Sequence, residues 1–410
     1  MQHQYKISAP KVINTAIKLP SSKSMSNRAL ILNALCLSTK PIKNLSDCED
    51  TKVILDAFNS DSNEFDVKGA GTAMRFLTAF LAGMEGEWIL KGSKRMHERP
   101  IHPLVETLIA LGAKIEYLEK EGYPPLKIKG GPLKGGEVYL AGNISSQFIS
   151  ALLMVAPLME NGLIMHIEKE IVSKPYITLT MEMMAKCGVH AKWDGNDLII
   201  EPQKYKAVEI EVEADWSAAS YWYEIAALLP GSEIKLEGLK QNSLQGDISV
   251  ANLFEDLAVK TEFVSDGAII KSVKKKTKKF FHDFKNEPDL AQTFAATCCF
   301  KNTPFLFSGI QSLKIKETDR VHALIVELKK LGYVLIENEI GMLEWDGERC
   351  TPEIEPAIDT YDDHRMALSF APGAIIFDSL NINDPHVVSK SYPLFWDDLS
   401  KAGFIIEERI

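Results

Sequence analysis

The sequence predicts an α/β protein of two similar domains, each built of three repeated βαβαββ-type units with helices inside and sheets outside (an inside-out α/β barrel), and an active site in the cleft between them. Three observations predict it. One pattern recurs along the chain: an amphipathic helix, a glycine stop, a strand, a turn and a second strand. The stops are evenly spaced. Helix after helix opens on the same small, hydroxylated and cationic residues.

The first such opening is LPSSKSMSNRAL, residues 19–30, where Ser21, Ser22, Lys23, Ser24, Ser26 and Arg28 lead directly into the apolar helix ALILNALCL. It lacks the glycines of a nucleotide P-loop. A helix N-terminus is still an anion site in its own right, because its first N–H groups are unpaired and carry partial positive charge. Taken alone, the stretch could equally be a serine-capped helix with two solvated cations.

VILDAFNSDSNEFDVKG, residues 53–69, begins like a repeat, but its hairpin is cut short. Full copies follow as VETLIALGAKIEYLEKEGYPPLKIKG, TMEMMAKCGVHAKWDGNDLIIEP, VANLFEDLAVKTEFVSDGAIIKS and LIVELKKLGYVLIENEIGMLEWDG, and the chain closes on LSKAGFIIEERI. Apolar residues fall at three- and four-residue spacing in the helices and alternate in the strands. Gly112, Gly188, Gly332 and Gly403 stand where a helix ends on a left-handed residue, with Ala258 in the equivalent place. Successive stops lie 76, 70, 74 and 71 residues apart. Six units are therefore expected, the second truncated, grouped as residues 1–19 plus 213–410 and residues 20–212.

Other helix starts carry chemistry beyond what packing requires. In GAGTAMRFL, Gly69 and Gly71 would let backbone N–H groups approach a ligand, with Thr72 and Arg75 in the first turns. RMHERPIHPLVETL sets Arg95 and Arg99 before a helix whose first turn is expected to hold Pro100. GNISSQFISALLM offers Ser145, Ser146 and Gln147, and IVSKPYITLT offers Ser173, Lys174 and Tyr176. KNEPDLAQTFAATCCF puts Asp289 at a helix start, the place of an ordinary cap, ahead of Cys298 and Cys299, which read as inert core thiols. LKIKETDRVHAL carries Lys316, Glu317, Asp319 and Arg320; TYDDHRMALSF carries Asp362, Asp363, His364 and Arg365; VVSKSYPLFWDDL offers Lys390. KSVKKKTKKF, residues 271–280, reads as a solvated loop or strand edge.

Any one of these is an ordinary cap or surface charge. Together they gather Lys23, Arg28, Arg75, Arg99, Lys316, Arg320, Arg365 and Lys390, and so many cations at one site call for a heavily anionic ligand. Arginine suits bidentate contact with carboxylate or phosphate, and lysine is a point charge that can also donate a proton. Asp289 and Glu317 are the acid/base candidates.

Composition excludes other classes. The 410 residues are 46% hydrophobic and 25% charged with a net charge of −10, which argues against general nucleic-acid binding but not against a small anion in a basic pocket. Apolar runs such as ISALLMVAPLM fall short of the roughly 18–20 residues a membrane span needs. The start MQHQYKISAPKVIN has no signal pattern. Cys36, Cys48, Cys187, Cys298, Cys299 and Cys350 form no CxxC and no metal-ligand spacing. We expect a reduced cytoplasmic enzyme, a monomer, with no nucleic-acid or membrane partner.

The motifs LPSSKSMSNRALIL, GAGTAMR, ERPI, SSQF, SKPYITLT, NSLQGDI, PDLAQT, KETDR, DDHRMA and SKSYPLF, in this order from residue 19 to about 396, resemble the 5-enolpyruvylshikimate-3-phosphate synthase family. The resemblance implies transfer of the enolpyruvyl group of phosphoenolpyruvate to the 5-hydroxyl of shikimate 3-phosphate, with release of phosphate. It implies addition and elimination through a tetrahedral intermediate, on the shikimate pathway to chorismate and the aromatic amino acids, without metal or organic cofactor. Lys23 matches the lysine that contacts phosphoenolpyruvate and helps proton transfer, and Gly71, Arg99, Arg320, Arg365 and Lys390 match its other contacts. Ser24, Arg28, Ser145, Ser146, Ser173 and Tyr176 match the shikimate-phosphate contacts, with Ser312 and Lys316 on the same substrate and Gln147 between the two. Asp289 matches the carboxylate that accepts the 5-hydroxyl proton, and Glu317 the acid/base at the methylene carbon. Thr72, Arg75 and His364 are expected to support these from behind.

The chain departs from that family in places. Gly69 stands for the usual asparagine, Phe76 for a helix-start proline, and Ser312 for a common asparagine; the unit near residues 50–68 is shortened. Gly71 leaves room for the family's inhibitor, glyphosate, while Phe76 leaves sensitivity open. The related transferase acting on UDP-N-acetylglucosamine pairs its loop lysine with asparagine and commonly uses a loop cysteine, whereas Lys23 is followed by Ser24 and no cysteine lies between Arg95 and Arg99. A non-catalytic anion-binding relative would be expected to lose Lys23, Asp289 or Glu317. An RNA-end cyclase would need a nucleophilic histidine motif and a nucleotide site, and neither is evident.

Overall fold

The computed structural model describes residues 3–143 and 145–409; Met1, Gln2, Ile144 and Ile410 lie outside that description. In chain order it forms β1 (Gln4–Ser8), β2 (Asn14–Lys18), α1 (Lys23–Leu35), α2 (Glu49–Asn59), β3 (Glu64–Asp66), α3 (Gly71–Ala82), β4 (Gly86–Lys91), α4 (His102–Ala110), β5 (Lys114–Tyr117), β6 (Leu126–Gly130) and β7 (Gly136–Ala141). Next come α5 (Ser146–Val155), β8 (Leu163–Glu168), α6 (Lys174–Lys186), β9 (Lys192–Asp194), β10 (Asp197–Ile200), α7 (Trp216–Leu228), β11 (Glu233–Glu237), α8 (Val250–Leu253), β12 (Val259–Val264) and β13 (Gly267–Ser272). The rest is β14 (Phe280–Asp283), α9 (Ala291–Phe300), β15 (Phe305–Ser308), α10 (Arg320–Lys330), β16 (Ile336–Glu339), β17 (Met342–Trp345), β18 (Ala357–Ile358), α11 (His364–Phe370), β19 (Leu380–Asn383), α12 (Phe395–Lys401) and β20 (Ile405–Arg409). Two compact units result, one holding residues through Pro20 and from Glu213 onward, the other Ser21–Val212.

In the unit Ser21–Val212, α1, α3, α5 and α6 pack on one another. α3 and α5 are buried on nearly every side, so their apolar residues need no single stripe. Two sheets accompany them, in the orders β3-β4-β6-β5 and β7-β8-β10-β9. In each, the first pair is parallel and the next two pairs are antiparallel.

The other unit carries three sheets of the same design among the described residues: β2-β11-β13-β12, β14-β15-β17-β16 and β18-β19-β1-β20. Each again has one parallel pair followed by two antiparallel pairs. In the last sheet β20 follows the Gly403 stop, and β1 supplies the second strand of the hairpin. Its core is rich in aromatic side chains: Phe294 of α9 lies 5.4 Å from Phe280 of β14 and 5.4 Å from Phe284 just beyond it, and Phe284 meets Phe307 of β15 at 4.8 Å between ring centroids, which packs α9 against this end of the sheet.

The periodic stops have a common backbone cause. Gly112, Ala258 and Gly403 have φ of 105°, 70° and 98°, as an αL helix terminus requires. Only Ala258 bears the Cβ strain of that region.

The shortened repeat yields only α2 and β3, and β3 joins the sheet of the next unit. Where the repeat calls for a third sheet in Ser21–Val212, the described residues hold one parallel bridge between Lys43 and Glu211. It is flanked by Lys43 N–H to Ile210 O at 2.8 Å and Val212 N–H to Lys43 O at 3.0 Å. One helix start also differs from expectation. α4 begins at His102 with Pro103 in its first turn, so Pro100 lies ahead of the helix beside extended Arg99. Proline presets the first-turn φ, and two prolines were available. Among the described residues no helix is long and apolar enough to cross a membrane.

Candidate active site

In the unit Ser21–Val212 the predicted residues cluster at helix starts. Ser22 caps α1, its hydroxyl accepting from Met25 N at 3.4 Å. Lys23, on the first turn, donates to Asp50 Oδ2 at 3.1 Å, a partner that sequence reasoning missed. Arg28 is buried and donates from Nε to Thr180 Oγ1 (2.7 Å), from Nη1 to Ser24 O (2.9 Å), and from Nη2 to Ser150 Oγ and Tyr176 O (both 3.2 Å). Its Cζ lies 5.2 Å from the centre of the Phe76 ring. Burial lowers the guanidinium to about 10, which still leaves it charged at neutral pH.

The start of α3 is occupied by a second arginine. A Cβ added to Gly71 would lie 2.5 Å from Arg99 Nη2, so the guanidinium packs directly on the glycine. Arg99 is 5% exposed, reaches Gly69 O at 3.5 Å, and has no partner for Nε among the described residues. Arg75 donates to Gly71 O (3.2 Å) and Pro100 O (3.1 Å), which ties the α3 start to the Arg99 segment. Gln147 donates from Nε2 to Thr72 Oγ1 at 3.1 Å, Ser145 caps α5, and Ser146 is buried. Ser173 holds a left-handed position before α6, with φ of 56°. Arg95, by contrast, sits in solvent paired with Glu98.

The other unit centres on Arg320, which is 1% exposed. It donates from Nε to Asp363 Oδ2 (2.7 Å), from Nη2 to Glu317 Oε2 (2.8 Å) and from Nη1 to Asp289 Oδ1 (3.2 Å). Arg365 donates to Asp289 Oδ2 (2.7 Å) and to the Tyr221 hydroxyl (3.1 Å), and Lys316 Nζ lies 4.0 Å from Asp289 Oδ1. Lys390 donates to the carbonyl of Asp362 at 2.7 Å and also to its carboxylate. His364 is buried with Nδ1 3.8 Å from Asp363 Oδ1. Ser312 lies half-buried on a 3-10 turn, Gln311–Ile315, and is not joined to this network among the described residues. Asp289 lies in the 3-10 turn Pro288–Leu290, and its carboxylate turns to the cations rather than capping α9.

Burial alone would raise the Asp289 carboxyl, but Arg365, Lys316 and Arg320 together outweigh it and hold it well below the usual carboxylate range. Asp247, from the NSLQGDI segment, runs the other way. Burial and then the charge of Asp289 push it up to about 7, although its carboxylate accepts a short hydrogen bond from Ser217.

The expectation that these cations await a ligand is corrected in part. Lys23, Lys316, Arg320, Arg365 and Lys390 are matched by Asp50, Asp289, Glu317, Asp363 and Asp362. Desolvating a cation demands a compensating charge, and acids of the same or neighbouring motifs supply it. Arg28 and Arg99 have no carboxylate partner among the described residues. Asp363 stands among the residues singled out in the DDHR segment, and Asp247 could have been found as the acid inside QGD; Asp50 carried no such signal.

Buried arginines, one of them holding three carboxylates, are the kind of cluster an α/β enzyme uses on anionic substrates. The chain belongs to the EPSP synthase family. The model of that family, EPSP synthase (3-phosphoshikimate 1-carboxyvinyltransferase), matches residues 7–60 and 55–399, two stretches that meet inside the shortened repeat. The 3-phosphoshikimate 1-carboxyvinyltransferase of Bacteroides fragilis is 50% identical over 405 residues, covering 98% of this chain and 99% of that protein. The enzyme of the same name from Sulfurovum sp. is 39% identical, covering 96% and 97%. A solved EPSP synthase structure from Acinetobacter baumannii shares the fold with a TM-score of 0.79 at 21% identity, over the whole of both chains.

Proposed function

We infer that this chain catalyses the reaction its relatives are named for: transfer of the enolpyruvyl group of phosphoenolpyruvate to the 5-hydroxyl of shikimate 3-phosphate, releasing phosphate. The observation that carries it is the pair of acids, Asp289 and Glu317, held on the one buried guanidinium of Arg320. Lys23, Gly71, Arg99, Arg320, Arg365 and Lys390 receive phosphoenolpyruvate. Ser24, Arg28, Ser145, Ser146, Ser173, Tyr176, Ser312 and Lys316 receive shikimate 3-phosphate, and Gln147 touches both.

The chemistry follows from the charges. Glu317 protonates the methylene carbon of phosphoenolpyruvate, positive charge develops at C2, and the 5-hydroxyl oxygen attacks there. Asp289 takes the hydroxyl proton. An aspartate so tightly held by cations is a weak base, so the anionic substrate must draw Arg320 and Arg365 towards itself and return basicity to Asp289. Elimination reverses the first proton transfer: the methyl carbon returns a proton to Glu317, the C2–O bond to phosphate breaks, the leaving phosphate takes up the proton that Asp289 accepted, and the cations already in place stabilise the leaving group.

The same inference makes residues 1–19 plus 213–410 and residues 20–212 two inside-out α/β barrels, in a cytoplasmic monomer. The test is phosphate release by the purified protein, with each substrate omitted in turn. Release only with both present is expected. Release without shikimate 3-phosphate, or none with both, overturns the assignment.

A further inference from the structure

Arg28 presents an unusual combination: a buried guanidinium, four hydrogen bonds to neutral oxygens, and no carboxylate among the described residues. Burying a cation without a counter-charge is costly, and neutral acceptors repay only part of it. Phe76 adds to that support. This ring is 1% exposed, sits mid-helix on α3, and lies with its centre 5.2 Å from Arg28 Cζ. An aromatic ring is attractive to a cation without neutralising it. A carboxylate in the same place would compete with any anion that Arg28 is meant to bind. Lys23, five residues earlier on the same helix, is held by Asp50 instead.

The placement also links two helix starts. Arg28 Nη1 bonds back to Ser24 O, so the orientation of the guanidinium bears on the first turn of α1, which carries Lys23 and Ser24. Phe76 follows Arg75, which anchors the α3 start at Gly71 O and Pro100 O.

We propose that Phe76 is a positioning residue for shikimate 3-phosphate binding, its ring face holding the Arg28 guanidinium oriented and fully charged toward that anionic substrate. The inference rests on the substrate assignment given above for Arg28. A proline at this position has no aromatic face and could not serve.

The test replaces Phe76 with 3,4,5-trifluorophenylalanine, which keeps the shape of the ring while weakening the negative face, and in parallel makes Phe76→Leu. Shikimate 3-phosphate binding is measured by calorimetry, steady-state kinetics follow, and melting temperature reports folding. Weakening the face should raise the dissociation constant and the KM for shikimate 3-phosphate about two- to thirtyfold. The KM for phosphoenolpyruvate and kcat should move by less, with the melting temperature of the fluorinated protein close to wild type. Unchanged shikimate 3-phosphate affinity in the fluorinated protein overturns the inference while leaving the assigned reaction intact. So does an affinity loss in Phe76→Leu alone that tracks its melting temperature, since that is a packing effect. A wild type that binds no shikimate 3-phosphate overturns the functional assignment and this inference together.

Discussion

Gly71→Ala tests whether Arg99 is a substrate cation or only a buried charge. Gly71 is the first residue of α3, in backbone that alanine adopts without strain. The added Cβ would lie 2.5 Å from Nη2, 2.7 Å from Nη1 and 2.8 Å from Cζ of Arg99. Carbon contacts settle near about 3.5 Å, so the guanidinium must retreat by about 1 Å. Little resists that movement: Arg99 has one long bond, 3.5 Å to Gly69 O, and its Nε has no partner among the described residues. The fold therefore survives, and position is what is lost.

A misplacement of about 1 Å in a positioning group can reduce rate by about 100-fold, and one charged hydrogen bond is worth about 1.5–3 kcal/mol. The KM for phosphoenolpyruvate should rise about 10- to 100-fold, with a smaller change in the KM for shikimate 3-phosphate. Initial rates of phosphate release at varied phosphoenolpyruvate measure this, and melting should stay within about 3 °C of wild type. A folded variant with an unchanged KM for phosphoenolpyruvate would refute the role given to Arg99. A large fall in melting temperature would make its place structural.

Three further outcomes follow from the same contacts. Asp289→Asn should lower kcat by about 100-fold or more, since it removes the proposed base, yet destabilise less than Asp363→Asn, which takes about 3–5 kcal/mol from a fully buried pair. Asp363 has no exposed surface and also caps α11, whereas Arg320 keeps Glu317 and Asp363 when Asp289 is changed; equal melting temperatures for the two variants would contradict this. Asp247, raised from 3.8 to about 7, contributes stability that is full below its ordinary pKa and lost as pH rises through about 7; Asp247→Asn should flatten that stretch in denaturation at stepped pH, and an unchanged slope would refute it. Asp289, held low, works in the opposite sense, its contribution fading as the medium turns acidic. Finally, the amides of Ala207, Val208 and Glu209, which make no backbone hydrogen bond among the described residues, should exchange with solvent far faster than those of β8; comparable protection in mass-spectrometric exchange would mean the segment is laddered after all.

Much of the architecture was legible because it is local and repeated. A helix stop needs a left-handed residue next to it, so Gly112 and Gly403 could be read without knowing what surrounds them. Even Ala258, an unfavoured residue there, stood out by its spacing and has φ of 70°. Pairing is not local. Asp50 lies 27 residues from Lys23, and Asp363 lies 43 from Arg320, separations with no periodicity to follow. The cations could therefore be listed from the sequence, but not which acids held them. The bridge at Lys43 and Glu211 is equally silent, since only the lost hairpin hinted that a sheet would be incomplete. Pro100 was placed in the first helical turn because two prolines compete for that position within four residues.

The distribution of counter-charges bears on the order of events. Arg320 and Arg365 sit among acids, and the cations raise no demand for an outside anion until one arrives to compete for them. Arg28 and Arg99 are different: each is desolvated, and each lacks a carboxylate among the described residues. An anion bound at Arg28 or Arg99 has no carboxylate to displace among the described residues. An anion bound at Arg320 competes with Asp289 and Glu317 for the guanidinium, and in the proposed mechanism that loosening is what would return basicity to a firmly ionised Asp289. On physical grounds the Arg28 and Arg99 contacts should provide most of the binding. The Arg320 contacts should provide most of the activation, so changes at the first pair should appear chiefly in KM and changes at the second chiefly in kcat.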